Sequence, residues 1–275
     1  MRNIWTICRR ELYSYFVSPI AWVLLAIFAV VSGFFVYIIS AGFVRASLEG
    51  QMSGQSFPMN LNEQVIAPLF SNIAVLGLFL IPLISMRLFA EEKRQGTIEL
   101  LITSPVHDSQ IVIGKWLSAV LMYSALLVVM VADCSFLFVY GNPDWRPVAT
   151  GFLGILLQGA SLLALGTFIS TLTRNQIIAG AIGFALALVL WILNWWTSFA
   201  NFAIQWPESW INPVELFSFV MSVLGLVLNY LSIANHMDSF SRGVIDTKDL
   251  IYYLSMIFIG LFLTNRSIGW LRWRS

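Results

Sequence analysis

The chain has 275 residues and a net charge of +1; 59% of it is hydrophobic and only 11% is charged. Soluble domains run at about 45–50% apolar and about 25% charged, so a water-soluble fold cannot hide this surface and the bilayer must be the solvent. The near-zero charge offers nucleic acid no attraction, and the two cysteines, Cys8 and Cys134, form neither a disulfide framework nor a CxxC pair.

The expected elements follow in chain order. Residues 1–18 carry Trp5, Cys8, Leu12 and Tyr15/Phe16 at helical spacing, with Arg9, Arg10 and Glu11 projecting elsewhere. This pattern predicts an amphipathic helix on the inner leaflet that ends near Pro19. Arg2, Arg9 and Arg10 precede an apolar run from Pro19 to about Phe43. That run exceeds the about 7–15 residues of a signal-peptide core, so it reads as an uncleaved first span.

A span needs about 20 mostly apolar residues. Six segments qualify: about 20–43, 66–89, 112–140, 148–172, 177–199 and 250–265, the second containing Pro82, a kink position. The last is short, and Trp270 and Trp273 extend it as an interfacial helix. Residues 216–233 are also long enough to span, and basic-residue placement arbitrates. With six spans and both termini inside, only Arg45, Arg146, Arg242 and Lys248 lie outside. A seventh span would instead strand Arg272 and Arg274 on the outer side. Residues 216–233 then become a re-entrant or interfacial hairpin, broken at Gly225, within an outer loop 200–248. The chain is one membrane domain, 1–275, with no repeat or linker.

Between the second and third spans lies the cytoplasmic segment 90–111, where Glu91, Glu92, Lys93 and Arg94 stand in a row. Gly96 can break the helix that carries them. Residues 97–103 give a short helix with Ile98, Leu101 and Ile102 on one side, which a solvated loop would not need. Ser104 then caps the next helix, with Pro105 at its first position.

Asp133 lies about seven residues, roughly 10 Å, inside the outer end of the third span. A carboxylate there marks a pathway, a partner or a relay, or else a hydrogen-bonded group packed between helices. Gly151, Gly154, Gly159 and Gly166 in the fourth span, and Ala179, Gly180 and Gly183 in the fifth, serve tight packing within the subunit or a dimer face. Trp191, Trp195, Trp196, Trp206 and Trp210 fit an outer aromatic belt. His236-Met237-Asp238 supplies too few ligands for a metal, and Met52 and Met59 are weaker still as copper ligands. No metal site is expected.

The one Gly-Lys pair, Gly114-Lys115, is followed by Trp116 and lacks the glycine and hydroxyl of a P-loop, so no ATP site of that type is present. No catalytic residue is expected.

The segment "EEKRQGTIELLITSPVHDSQIVIGKWLSA" resembles the one after the second span in ABC type-2 permeases, where E-E-[KR]-x-x-G-T-[IL]-E-x-L-x-[ST]-x-P is followed by a Gly-Lys pair. The likeness continues in "RRELYSYFVSPIAW", "GNPDW", "LGTFISTLTRNQIIAG" and "RGVIDTKDLIYYLSMIFIGLFLTNR", which together look like the gliding-motility-associated branch. The resemblance does not place residues 196–225.

The resemblance implies the ABC type-2 exporter fold in a bacterial cytoplasmic membrane. It implies a second permease subunit, identical or a close paralogue, and separate ATPase subunits that bind the ATP and Mg. A periplasmic or envelope accessory protein is a further partner it allows. It also implies that Glu91, Glu92, Lys93, Arg94, Gly96, Thr97, Ile98, Glu99, Leu101, Ser104 and Pro105 contact the ATPase, together with Thr173, Arg174 and Asn175, and that the N-terminal helix helps form the dock. Two other readings stay open: a mechanical anchor of an envelope or motility complex driven by the same ATPases, and an ion-coupled carrier using Asp133.

Overall fold

The computed structural model describes residues 2–53, 60–103, 105–141, 143–203, 224–225 and 227–274. These residues contain helices and no strand. In chain order the helices are α1 (Arg2–Val17), α2 (Pro19–Ser53), α3 (Ala67–Ser85), α4 (Arg87–Gln95), α5 (Ile98–Thr103), α6 (Asp108–Tyr140), α7 (Trp145–Leu172), α8 (Gln176–Ala203), α9 (Asn235–Ser241) and α10 (Thr247–Arg274). A π-helical turn, Asn62–Ile66, leads into α3. Among the described residues six segments are long and apolar enough to cross a membrane, carried by α2, α3 with α4, α6, α7, α8 and α10. They contain the six expected spans and extend beyond most of them.

Pro19 opens α2 directly after the single bend residue Ser18, using a position where a missing N–H costs nothing. α1 folds back along α6. It buries Cys8 and Tyr15, with Ile7 and Leu12 partly covered. Trp5, expected on this face, is 59% exposed, because the packed stripe begins one turn later.

α7 is the central post and packs on α3, α6, α8, α9 and α10. Its glycines settle what the fourth-span pattern is for. A Cβ on Gly151 would meet the Phe70 ring at 2.6 Å, and one on Gly154 would meet Phe240 at 2.7 Å. At Gly159 it would overlap the Tyr123 ring, and at Gly166 the Ser85 side chain. These residues serve packing inside the subunit. Gly180 and Gly183 likewise face Met86 and Pro82.

The second span is interrupted. α3 stops at Ser85, three residues after its internal Pro82, and α4 restarts at Arg87. At this end of the bundle α1, α4, the start of α6 and the last turns of α10 meet: Asn3 bonds Gln110, and Arg272 pairs with Asp108 at 3.2 Å. The other end gathers Leu61, Gly141, Thr150 and Phe240.

The expected hairpin at 216–233 falls mostly outside the described residues, as do Met59, Trp206 and Trp210. Its described end is helical over 227–231 and ties into the bundle, since Ile233 N–H donates to the Leu190 carbonyl and Tyr253 O–H to the Ile233 carbonyl. Trp191 and Trp195 lie 5.4 Å apart. His236 is buried. Its Nδ1 meets Asp249 Oδ1 at 2.6 Å, its Nε2 meets the Tyr230 carbonyl at 2.9 Å, and its ring stacks on Tyr252. Both nitrogens are engaged, and Asp238 is turned to Arg242, so the His-Met-Asp triplet is no ligand set.

Candidate functional site at the charged end

The charge row is carried by α4, and the helix explains which way each charge points. Glu92 faces inward and meets a lysine two turns into α6. Lys115 is 1% exposed; its Nζ lies 2.9 Å from Glu92 Oε1 and 3.1 Å from Glu11 Oε1. Arg10 completes the set, 2.7 Å from Glu11 and 3.6 Å from Glu92. Two cations and two carboxylates thus join α1, α4 and α6. Sequence reasoning had Glu11 and Arg10 projecting away and gave Lys115 no role. The signal for it was the Gly-Lys pair itself. Gly114 lets α1 lie close, since a Cβ there would touch Ile7 at 3.0 Å, and Lys115 then reaches the carboxylates that α1 and α4 bring.

This network sets the titration of Glu11. Burial pushes its carboxyl up, but the Lys115 charge and hydrogen bonds from Arg10 and Lys115 outweigh it and hold Glu11 below the usual carboxylate range. Burial, and then the neighbouring Glu11, push the Cys8 thiol up.

The other knot residues divide their work. Glu91 pairs with Arg87 at 3.4 Å one turn earlier. Lys93 Nζ donates to the Thr171 carbonyl in the last turn of α7, where helix carbonyls lack partners. Arg94 points to solvent. Gly96 ends α4 with φ +73°, and the Gly96 and Thr97 N–H groups both donate to the Glu92 carbonyl.

α5 follows as expected, but its apolar side turns inward. Ile98 and Leu101 pack on the chain's own core, while Leu100 is 75% exposed and Glu99 points outward. The side chain of Ile102 and the whole of Ser104 lie outside the described residues. Pro105 does not start the next helix. It sits in an exposed bend, and α6 begins at Asp108 with His107 extended at its N-cap. Arg272 holds both the Val106 carbonyl and Asp108, so the acidic residue, favourable in a first turn, marks the helix start instead.

Thr173, Arg174 and Asn175 form the turn from α7 to α8. The Thr173 hydroxyl donates to the Asn175 carbonyl, and Asn175 Oδ1 accepts the Ile177 N–H at 2.9 Å, capping α8. Lys93 brings this turn beside α4, since it holds Thr171 two residues before Thr173.

A second missed residue holds the joint. The break at Met86 leaves the first N–H groups of α4 without helical partners. Ser170 Oγ, on α7, accepts the N–H of Phe89 and of Ala90 at 3.0 Å each and donates to the Met86 carbonyl at 3.0 Å. On the other side of the joint, the Tyr15 hydroxyl donates to the Ile84 carbonyl at 2.9 Å.

These parts enclose a groove of about 690 Å³ between α1, α4, α5 and α6. Arg10, Arg87 and Lys115 face it, and so do Glu11, Glu91 and Glu92, so its formal charge balances. Two buried polar atoms on its wall, Arg87 Nη1 and Glu92 Oε2, have no hydrogen-bond partner among the described residues.

Residues 5–265 match the ABC-2 family transporter protein model. The chain is 28% identical over 160 residues to the "Probable multidrug ABC transporter permease YbhR" of Escherichia coli K12, and equally to that of Escherichia coli O157:H7. Those residues are 56% of this chain and 41% of the relative.

Proposed function

The chain belongs to the ABC-2 family of transporter proteins, and from that membership we propose that it is the transmembrane permease of an ATP-driven exporter, worked by a separate ATPase docked at the charged end. The observation that carries this reading is the groove lined by both signs of charge beside the exposed Leu100. A groove with balanced charge selects its partner by shape and hydrogen bonds, and Leu100 gives that partner an apolar anchor.

In this reading the charged end is cytoplasmic, both termini with it, in a bacterial inner membrane. The ATPase supplies ATP and Mg, and a second permease subunit completes the transporter. Movement of the ATPase pulls on α4 and α5 and reaches α3 through the joint at Met86. Arg94, Glu99 and Leu100 are the outward contacts, while Glu92 and Lys93 keep α4 attached to α1, α6 and α7 and Glu91 pairs with Arg87 within α4. The gliding-motility-associated branch is part of the proposal and rests on the segments 141–145, 165–180 and 242–266.

The test is ATP hydrolysis and transport in reconstituted vesicles with Leu100→Asp and Arg94→Glu together. The proposal expects membrane insertion to persist while the permease no longer stimulates the ATPase. Normal stimulation by this double variant would overturn it.

A further inference from the structure

A second groove, of about 670 Å³, runs between α2 and α6, away from the charged end. At its floor is Asp133, within the longest apolar stretch of α6. One carboxylate oxygen, Oδ2, accepts the Ser32 hydroxyl from α2. The other, Oδ1, faces Gly33 across a gap, since even a Cβ on Gly33 would stand 4.0 Å away. Among the described residues nothing donates to Oδ1.

A carboxylate in a span is expensive, and a cation is the partner that offsets this best. Among the described residues none supplies one. Arg45 lines the same groove, but it is twelve residues beyond Gly33, about 18 Å along the helix at 1.5 Å per residue, and makes no ion pair with Asp133. The walls are apolar and aromatic: Tyr37 is 71% and Phe136 56% exposed, and both line the groove. An aromatic face attracts a cation, and an apolar wall holds a bulky hydrophobic body. The volume falls in the range of about 300–1,000 Å³ that takes a drug-sized ligand.

We propose that this groove binds amphiphilic organic cations, with Asp133 as counter-ion, Tyr37 and Phe136 as walls, and Gly33 left small to keep the floor open. Ser32 orients the carboxylate. The ligand enters sideways from the bilayer, because the groove opens on the face of two outer helices. As the substrate class of the permease this rests on the transport reading above, but binding itself does not.

The experiment uses the purified full chain in nanodiscs, without any ATPase, and measures equilibrium binding of tetraphenylphosphonium and of tetraphenylborate, which share a shape and differ in charge sign. The expected result is saturable binding of the cation alone, at least tenfold weaker in Asp133→Asn. Gly33→Leu, which fills the floor and leaves the charge, weakens it as well. Thermal unfolding checks that each variant is folded, and if Asp133→Asn is not, Gly33→Leu decides. Equal binding of the two ions, or wild-type cation affinity in a folded Asp133→Asn or Gly33→Leu, overturns the proposal. So does a wild-type chain that binds neither ion; self-crosslinking of the Tyr37→Cys variant would then assign the groove to a second copy. Because no ATPase is present, failure here leaves the permease reading standing, and failure of ATPase coupling leaves this binding untouched.

Discussion

Lys115 Nζ lies 2.9 Å from Glu92 Oε1 and is almost wholly buried. This contact ties the charge row on α4 to a helix that crosses the bundle, and through Glu11 it also ties α1 to both.

Removing one partner of a buried ion set is expected to cost more than removing the set. Lys115→Met leaves Glu11 and Glu92 with only the exposed Arg10 to neutralise them, at about 3–5 kcal/mol for a fully buried site and less here because the carboxylates are partly exposed and Arg10 remains. Adding Glu92→Met and Glu11→Met recovers part of that loss. A cycle of thermal unfolding measurements on single and multiple variants reads the coupling. Cys8 reports the same event. In a Cys134→Ser background its buried thiol resists maleimide at pH 7, and Lys115→Met speeds the labelling by freeing α1.

The acid limb of stability follows from Glu11. Its carboxyl is held below the ordinary range in the folded chain, so it stabilises the fold at pH values above that range. That contribution is lost as pH falls through the depressed folded value. Unfolding temperature in detergent is expected to fall as pH drops below about 4.3, the ordinary glutamate value. Glu11→Gln flattens this limb. An unchanged slope in Glu11→Gln would assign the acid loss to other carboxylates.

Ser170→Ala uncaps α4. The Phe89 and Ala90 N–H groups lose their acceptor in a buried site, at about 1–3 kcal/mol for each donor left unmet. Faster hydrogen exchange at residues 87–92, with the rest of the bundle unchanged, is the expected signature. Ser170→Thr keeps the oxygen and should retain most of the protection.

Gly159→Ala tests the packing assignment of the α7 glycines. The added methyl overlaps the Tyr123 ring, and overpacking of this kind costs about 1–3 kcal/mol. Tyr123→Leu in the same chain makes room and should restore the unfolding temperature. Were these glycines a dimer face instead, Gly159→Ala would leave the monomer's stability alone and change only its association.

The helices were legible because a bilayer span is written in length and apolarity, and the break at Gly96 because a left-handed cap asks for glycine. The start of α6 was misplaced since Ser104-Pro105 is a strong local signal, whereas Asp108 wins through a distant arginine, Arg272. Lys115 and Ser170 stayed hidden for the same reason. Each is an ordinary residue until a helix far away in sequence brings it a carboxylate or an unpaired N–H. The glycines of α7 read as small-residue packing, but only their neighbours Phe70, Tyr123, Ser85 and Phe240 decide between inside and outside. Leu100 rather than Ile98 or Leu101 faces outward, which a six-residue helix cannot reveal until its packed side is known.

The central claim is that an ATPase docks on the end formed by α1, α4 and α5. It is tested most directly by placing a photo-crosslinking residue at Leu100, and separately at Ile245 on the opposite end, which is 54% exposed, in the native membrane. The account predicts that Leu100 captures a subunit that azido-ATP also labels, and that Ile245 does not. Capture of the ATP-labelled subunit from Ile245, or its absence at Leu100, would contradict the account.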